Sequence, residues 1–128
     1  MVARGTGHIF NIASIAGKEV YENGAVYCAS KHAVDALSRA MRIDLLKHGI
    51  KVTNIAPGMV ETEFSEVRFK GDTDRAAAVY TGLEPLTGDD IAGVIHYCAS
   101  LPDHVCINDL VITPKAQANA TNTFRKTR

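Results

Sequence analysis

Three side chains near the start of this 128-residue sequence have the types and spacing for proton transfer: Ser14, Tyr27 and Lys31. Tyr27 and Lys31 are four residues apart, so on a helix they share a face and can meet. A free tyrosine ionises near pH ~10 and is a poor acid or base at neutrality. A lysine cation beside it favours the phenolate and lowers that value, each unit corresponding to about 1.4 kcal/mol. A tyrosine tuned in this way can protonate a carbonyl oxygen being reduced, or take the proton of an alcohol being oxidised. Ser14, at the end of a strand, can hydrogen-bond the same oxygen. In open α/β sheets that end of a strand is where ligands bind. A Tyr-x-x-x-Lys pair by itself is a weak signal, so its surroundings decide.

The pattern around these residues predicts the elements that would position them. His8-Ile-Phe-Asn-Ile-Ala-Ser14 is an apolar run rich in β-formers that ends at small residues, which predicts a buried strand. Gly17, Asn23 and Gly24 mark a loop beyond it. From Ala25 to Lys47 there is neither Gly nor Pro, and Leu37, Met41 and Leu45 recur every fourth residue, predicting a long helix with one apolar face. Ala29, Ala33, Ala36 and Ala40 on that helix would permit close packing by a neighbour. Lys47, His48 and Gly49 are a helix stop. Ile50 to Ala56 predicts a second strand cut off by Pro57-Gly58, and residues 61–82 predict short surface helices. Thr87-Gly-Asp-Asp90 has the form of a capping box, before helical spacing in Ile91, Val94, Ile95 and Cys98. Asp109 to Thr113 predicts a third strand, and 119–128 a polar, flexible tail after a domain spanning 1–118.

Strands joined by helices imply an α/β fold: a parallel sheet of about three strands, covered on both faces. So thin a sheet leaves at least one edge unsatisfied, which predicts part of a larger domain. Acidic and basic residues balance at 14 each, which argues against a nucleic-acid partner. The one basic cluster, Arg125, Lys126 and Arg128, lies at the terminus. No apolar run approaches the ~20 residues that span a bilayer. Cys28, Cys98 and Cys106 form no CxxC pair and predict reduced thiols in a cytoplasmic protein, and no histidine spacing suggests a metal site.

Three segments in order carry a family resemblance: Asn11-Ile-Ala-Ser14, Tyr27-Cys-Ala-Ser-Lys31, and Asn54-Ile-Ala-Pro-Gly58-Met-Val-Glu-Thr62. Together they resemble the short-chain dehydrogenase/reductases. The resemblance implies a Rossmann-type doubly wound sheet, with Tyr27 as general acid/base and Ser14 orienting the substrate oxygen. It implies that Lys31 lowers the Tyr27 pKa and binds the nicotinamide ribose. It implies that Pro57, Gly58, Met59, Val60, Glu61, Thr62, Glu63 and Phe64 wrap the nicotinamide end of the cofactor, with the Val60 backbone and Thr62 hydroxyl on the carboxamide. Thr62 to Asp72 and Leu101 to Asn108 look like the NADP-dependent 3-hydroxy acid dehydrogenases. That likeness implies NADP, with NAD left open, and a small hydroxy acid such as serine, L-allo-threonine or the counterpart malonic semialdehyde. Arg68 and Lys70 are then candidates for the substrate carboxylate. The family's glycine-rich phosphate turn, its Asn-Ala-Gly motif and its catalytic asparagine have no counterpart here. The resemblance therefore implies the C-terminal half of a homotetrameric enzyme's chain, binding NADP weakly in isolation. Two alternatives stay open: an inactive remnant acting through subunit association, and a nucleotide-sugar epimerase, which the Pro57–Thr62 loop disfavours.

Overall fold

The computed structural model describes residues 1–68 and 70–126; Phe69 of the Thr62–Asp72 motif and Arg128 of the basic cluster lie outside them. Three strands, β1 (Gly7–Ile12), β2 (Ile50–Pro57) and β3 (Asp109–Ile112), form one sheet in that order, both pairings parallel. The register aligns Gly7 with Ile50 and Ile12 with Ile55, then Asn54 with Asp109 and Pro57 with Ile112. All three strands therefore end on the same side of the sheet.

The described residues also form four α-helices: α1 (Ala25–Leu45), α2 (Phe64–Arg68), α3 (Thr73–Ala78) and α4 (Gly88–Ser100). α1 passes into a short 3₁₀ turn, Leu46–His48, and stops at Gly49 in the left-handed region (φ 65°). The capping box at α4 is formed: Thr87 Oγ1 accepts from Asp90 N, and Asp90 Oδ2 accepts from Thr87 N at 2.7 Å.

The expectation of buried strands holds for β2 alone. Val52, Ile55 and Ala56 are fully buried, because β2 has a neighbour on each side. β1 is only half-buried, with Ile12 exposed, and β3 alternates between exposed and half-buried. Among the described residues each has one partner strand, which leaves the unsatisfied edge that the thin sheet predicted.

The apolar face expected on α1 needs correction. Leu37 is 54 % exposed and shares an outward stripe with Val26, Ala29, Ala33 and Ala40. The buried positions of α1 are instead Cys28, Asp35 and Ser38. Hydrogen bonds join the helix to the sheet. Asn11 Nδ2 donates to Ser38 Oγ (3.0 Å), and Asn54 Nδ2 donates to Asp35 (3.0 Å) and to Asp109 (2.8 Å). Lys18 bridges Asp35 (2.5 Å) and Asp109 (2.6 Å), while Arg39 pairs with Asp35 one helical turn away. Burial raises the Asp35 pKa, but hydrogen bonds and charge from Lys18 and Arg39 outweigh that and leave it below the usual carboxylate value. This network ties the loop after β1, α1, β2 and β3 into one unit.

Residue 118 lies in a hydrogen-bonded turn. Ala118 N donates to Asn122 O (3.0 Å), and Lys126 N donates to Gly82 O (2.9 Å). No described helix is long and apolar enough to cross a membrane.

Candidate active site

A cleft of about 620 Å³ opens where the strands end. Ser14, Tyr27 and Lys31 all line it. Ser14 follows β1 directly and caps a 3₁₀ turn, Ile15–Gly17, its Oγ accepting from Ala16 N at 3.1 Å. That turn lies tight against α1. A Cβ at Gly17 would come within 2.6 Å of the Lys31 backbone oxygen, so glycine lets the Ser14 loop approach the helix bearing Tyr27 and Lys31. The Ser14 hydroxyl donates to Pro57 O over a long 3.3 Å. So weak a bond is readily exchanged for one to an incoming oxygen.

The Lys31 amine donates to Ile12 O (3.1 Å) and sits 5.8 Å from the centre of the Tyr27 ring. Burial lowers the Lys31 pKa from the ordinary lysine value. The Tyr27 ring packs against Phe64, centroids 5.4 Å apart. The Arg68 guanidinium lies 5.9 Å from the Tyr27 ring and 5.8 Å from that of Tyr21, whose hydroxyl it approaches at 3.5 Å.

Of the loop predicted to hold a cofactor, Pro57, Gly58, Met59, Val60, Thr62 and Phe64 line the cleft. Glu61 and Glu63 are exposed and do not. Leu86 N donates to Met59 O (2.9 Å), and Glu61 N donates to Leu86 O (2.8 Å). This one-residue parallel bridge turns the Val60 peptide groups the other way, and the Val60 carbonyl accepts from the Tyr80 hydroxyl (2.9 Å). With its proton so used, Tyr80 accepts from buried Ser65 (2.7 Å). Thr62 Oγ1 accepts from Phe64 N (3.3 Å). Arg68 lines the cleft, whereas Lys70, in the left-handed region (φ 56°) and exposed, does not.

These residues fit the nicotinamide end of a dinucleotide. The Val60 N–H lies on the side opposite the Leu86 bridge, the lysine amine stands beside the tyrosine, and the strand ends leave a recess of suitable size. Among the described residues no glycine-rich turn joins a strand to a helix in the way that holds a pyrophosphate.

The cleft also contains residues that the sequence pattern did not place at a site. Tyr21, Tyr80, Thr121, Thr123 and Arg125 line it. Among the described residues its charged lining is Lys31, Arg68 and Arg125, all cations, in a chain of zero net charge.

The fold agrees with the family comparison: residues 1–73 match the short chain dehydrogenase family, and the chain belongs to it. It is 50 % identical over 121 residues to an uncharacterised oxidoreductase of Mycobacterium tuberculosis, covering 94 % of this chain and 48 % of the relative. It is 41 % identical over 124 residues to the NADP-dependent 3-hydroxy acid dehydrogenase of Schizosaccharomyces pombe, covering 97 % of this chain and 48 % of that protein. The closed form of a serine dehydrogenase complexed with NADP+ superposes with a TM-score of 0.91 at 41 % identity, over 99 % of this chain and 52 % of that one. The chain thus spans about half the length of the relatives it matches, as part of a Rossmann-type sheet.

Proposed function

We propose that this chain carries the catalytic half of an oxidoreductase that moves hydride between NADP and a small 3-hydroxy acid. The observation that carries the reading is the cleft itself. Ser14, Tyr27 and Lys31 converge at the strand ends beside the Pro57–Phe64 loop, with Lys31, Arg68 and Arg125 as the charged lining among the described residues. Bound NADP supplies the hydride acceptor, or in its reduced form the donor. The Tyr27 hydroxyl transfers the proton at the substrate oxygen. Ser14 holds that oxygen by releasing Pro57 O, and Lys31, beside the Tyr27 ring, holds ribose hydroxyls. Val60 N–H and Thr62 take the carboxamide. Phe64 packs against the Tyr27 ring and helps fix its position.

The cations support an anionic substrate. Arg68, seated against Tyr21 and Tyr27, is placed to pair with a carboxylate while the alcohol or carbonyl faces Tyr27. Serine, L-allo-threonine and malonic semialdehyde meet that description. The outward stripe Val26, Ala29, Ala33, Leu37 and Ala40 would be a subunit contact of the assembled enzyme, a tetramer by its family likeness. Three free cysteines fit a cytoplasmic setting.

The test is NADPH formation by a fusion joining this chain to the first half of the fission-yeast relative. The expected result is turnover of L-serine and 3-hydroxypropionate, with 1,3-propanediol at least a hundredfold poorer in kcat/KM. A fusion that binds NADPH yet turns over none of these, or prefers the diol, would overturn the reading.

A further inference from the structure

We infer that residues 116–126 form a strap that builds the substrate-side wall of the cleft, with Gln117 and Arg125 as its positioning residues. The polar composition of this stretch suggests a loose end. Its hydrogen bonds place it in the site.

The strap begins with a buried amide. Gln117 Oε1 accepts from Met59 N (2.8 Å), and its Nε2 donates to Asn119 O (3.2 Å), so both ends of the side chain are fixed. A Cβ at Gly58 would overlap Gln117 Oε1, so the glycine makes room for the amide against the loop that begins the cofactor-facing segment. Asn119 Oδ1 then accepts from Thr121 N (3.0 Å), Thr121 Oγ1 (3.2 Å) and Asn122 N (2.7 Å), which reverses the chain. On the way back Thr123 bridges Gln117, and Phe124 N donates to Ala116 O (2.8 Å).

The strap is anchored at two further places. Glu19, in the loop that follows Ser14, accepts from Ala120 N at 2.9 Å. The Arg125 fork donates to Thr81 O (2.5 Å) and Val79 O (2.9 Å), capping carbonyls just past α3, while Lys126 N donates to Gly82 O (2.9 Å). Gly82 is left-handed (φ 79°), and a Cβ there would lie 3.0 Å from Lys126 O. Between these anchors Ala120, Thr121, Thr123 and Arg125 face the cleft. The strap thus joins three walls: the Ser14 loop, the Met59–Val60 loop and the 79–82 cover, whose Tyr80 hydroxyl holds Val60 O. A planar guanidinium can grip two carbonyls in fixed geometry, which an ammonium does not reproduce, and its charge remains at the wall.

The term substrate-side rests on the hydride-transfer reading; the latch does not. Amide hydrogen exchange of the 128-residue chain tests the latch without any activity. Arg125→Ala should raise exchange over residues 59–82 at least tenfold while the β1 and β2 amides stay within twofold. Arg125→Lys should give an intermediate effect. Unchanged exchange over 59–82, or an equal rise in β2, would overturn the latch; should the alanine variant not fold, a lysine variant matching the parent would do the same. In the fusion enzyme, Arg125→Ala should raise KM for 3-hydroxypropionate tenfold or more and leave KM for NADP within twofold. Equal changes in both would remove the strap from the substrate side, even with the hydride-transfer activity intact.

Discussion

At the scale of single residues, Lys18 shows how the site is held without touching it. Its amine joins Asp35 on α1 to Asp109 on β3, and Asn54 joins the same two carboxylates from β2. Burial pulls the Lys18 pKa down, but hydrogen bonds and charge from Asp109 and Asp35 outweigh it and leave a net rise. With Asp35 depressed, its contribution is full above the unfolded value near ~3.9 and is lost as pH falls through the lower folded value. With Lys18 raised, its contribution is full below the unfolded value near ~10.4 and is lost as pH rises through the higher folded one. The stability contributed by the Lys18–Asp35 pair, read as the difference between parent and Lys18→Met, should therefore be flat between about pH 4 and pH 10 and fall on both sides. Lys18→Met should lower stability at pH 7 by about 2–3 kcal/mol, less than the ~3–5 of a fully buried pair because Lys18 keeps some water contact. A denaturant midpoint unchanged in Lys18→Met, or a pH profile identical to the parent's, would refute that account.

At the scale of elements, the Ile15–Gly17 turn and α1 must come close for Ser14 to face Tyr27. Gly17→Ala forces a Cβ against a helix backbone oxygen that cannot rotate away. The expected cost is about 1–3 kcal/mol of overpacking. Because the turn carries Ser14, kcat in the fusion enzyme should also fall, by tenfold or more, with KM for NADP little changed. Equal stability and kcat in Gly17→Ala would show that the close approach is dispensable. The same elements show what a sequence does and does not disclose. α1, β2 and the Thr87 capping box are legible because glycine, proline and cap residues act locally. The buried face of α1 is not, since apolar periodicity has no means of reporting a helix docked through Asp35 and Ser38. Leu37 therefore reads as core and stands outside.

At the scale of the whole molecule, the sheet brings together groups far apart in the chain. Ser14, Tyr27 and Lys31 are recognisable because they lie within one strand–loop–helix unit whose spacing is fixed by local geometry. Arg125 reaches carbonyls 44 and 46 residues away, and Gln117 a nitrogen 58 residues away. Such bonds leave no local pattern, so the strap reads as a tail. Arg68 and Lys70 look equivalent in sequence, and only the fold separates them: one lies against Tyr27, the other is exposed and does not line the cleft.

The claim on which the rest depends is that Tyr27 moves the proton. The most direct measurement compares parent and Tyr27→Phe in the fusion enzyme, following L-serine oxidation alongside NADPH binding by fluorescence. The phenyl ring keeps the packing against Phe64 and removes only the hydroxyl. The account predicts a loss of at least a thousandfold in kcat with NADPH affinity within threefold, consistent with the ~10²–10⁴ contribution of a positioned acid or base. A Tyr27→Phe enzyme that retains kcat within tenfold of the parent would contradict it.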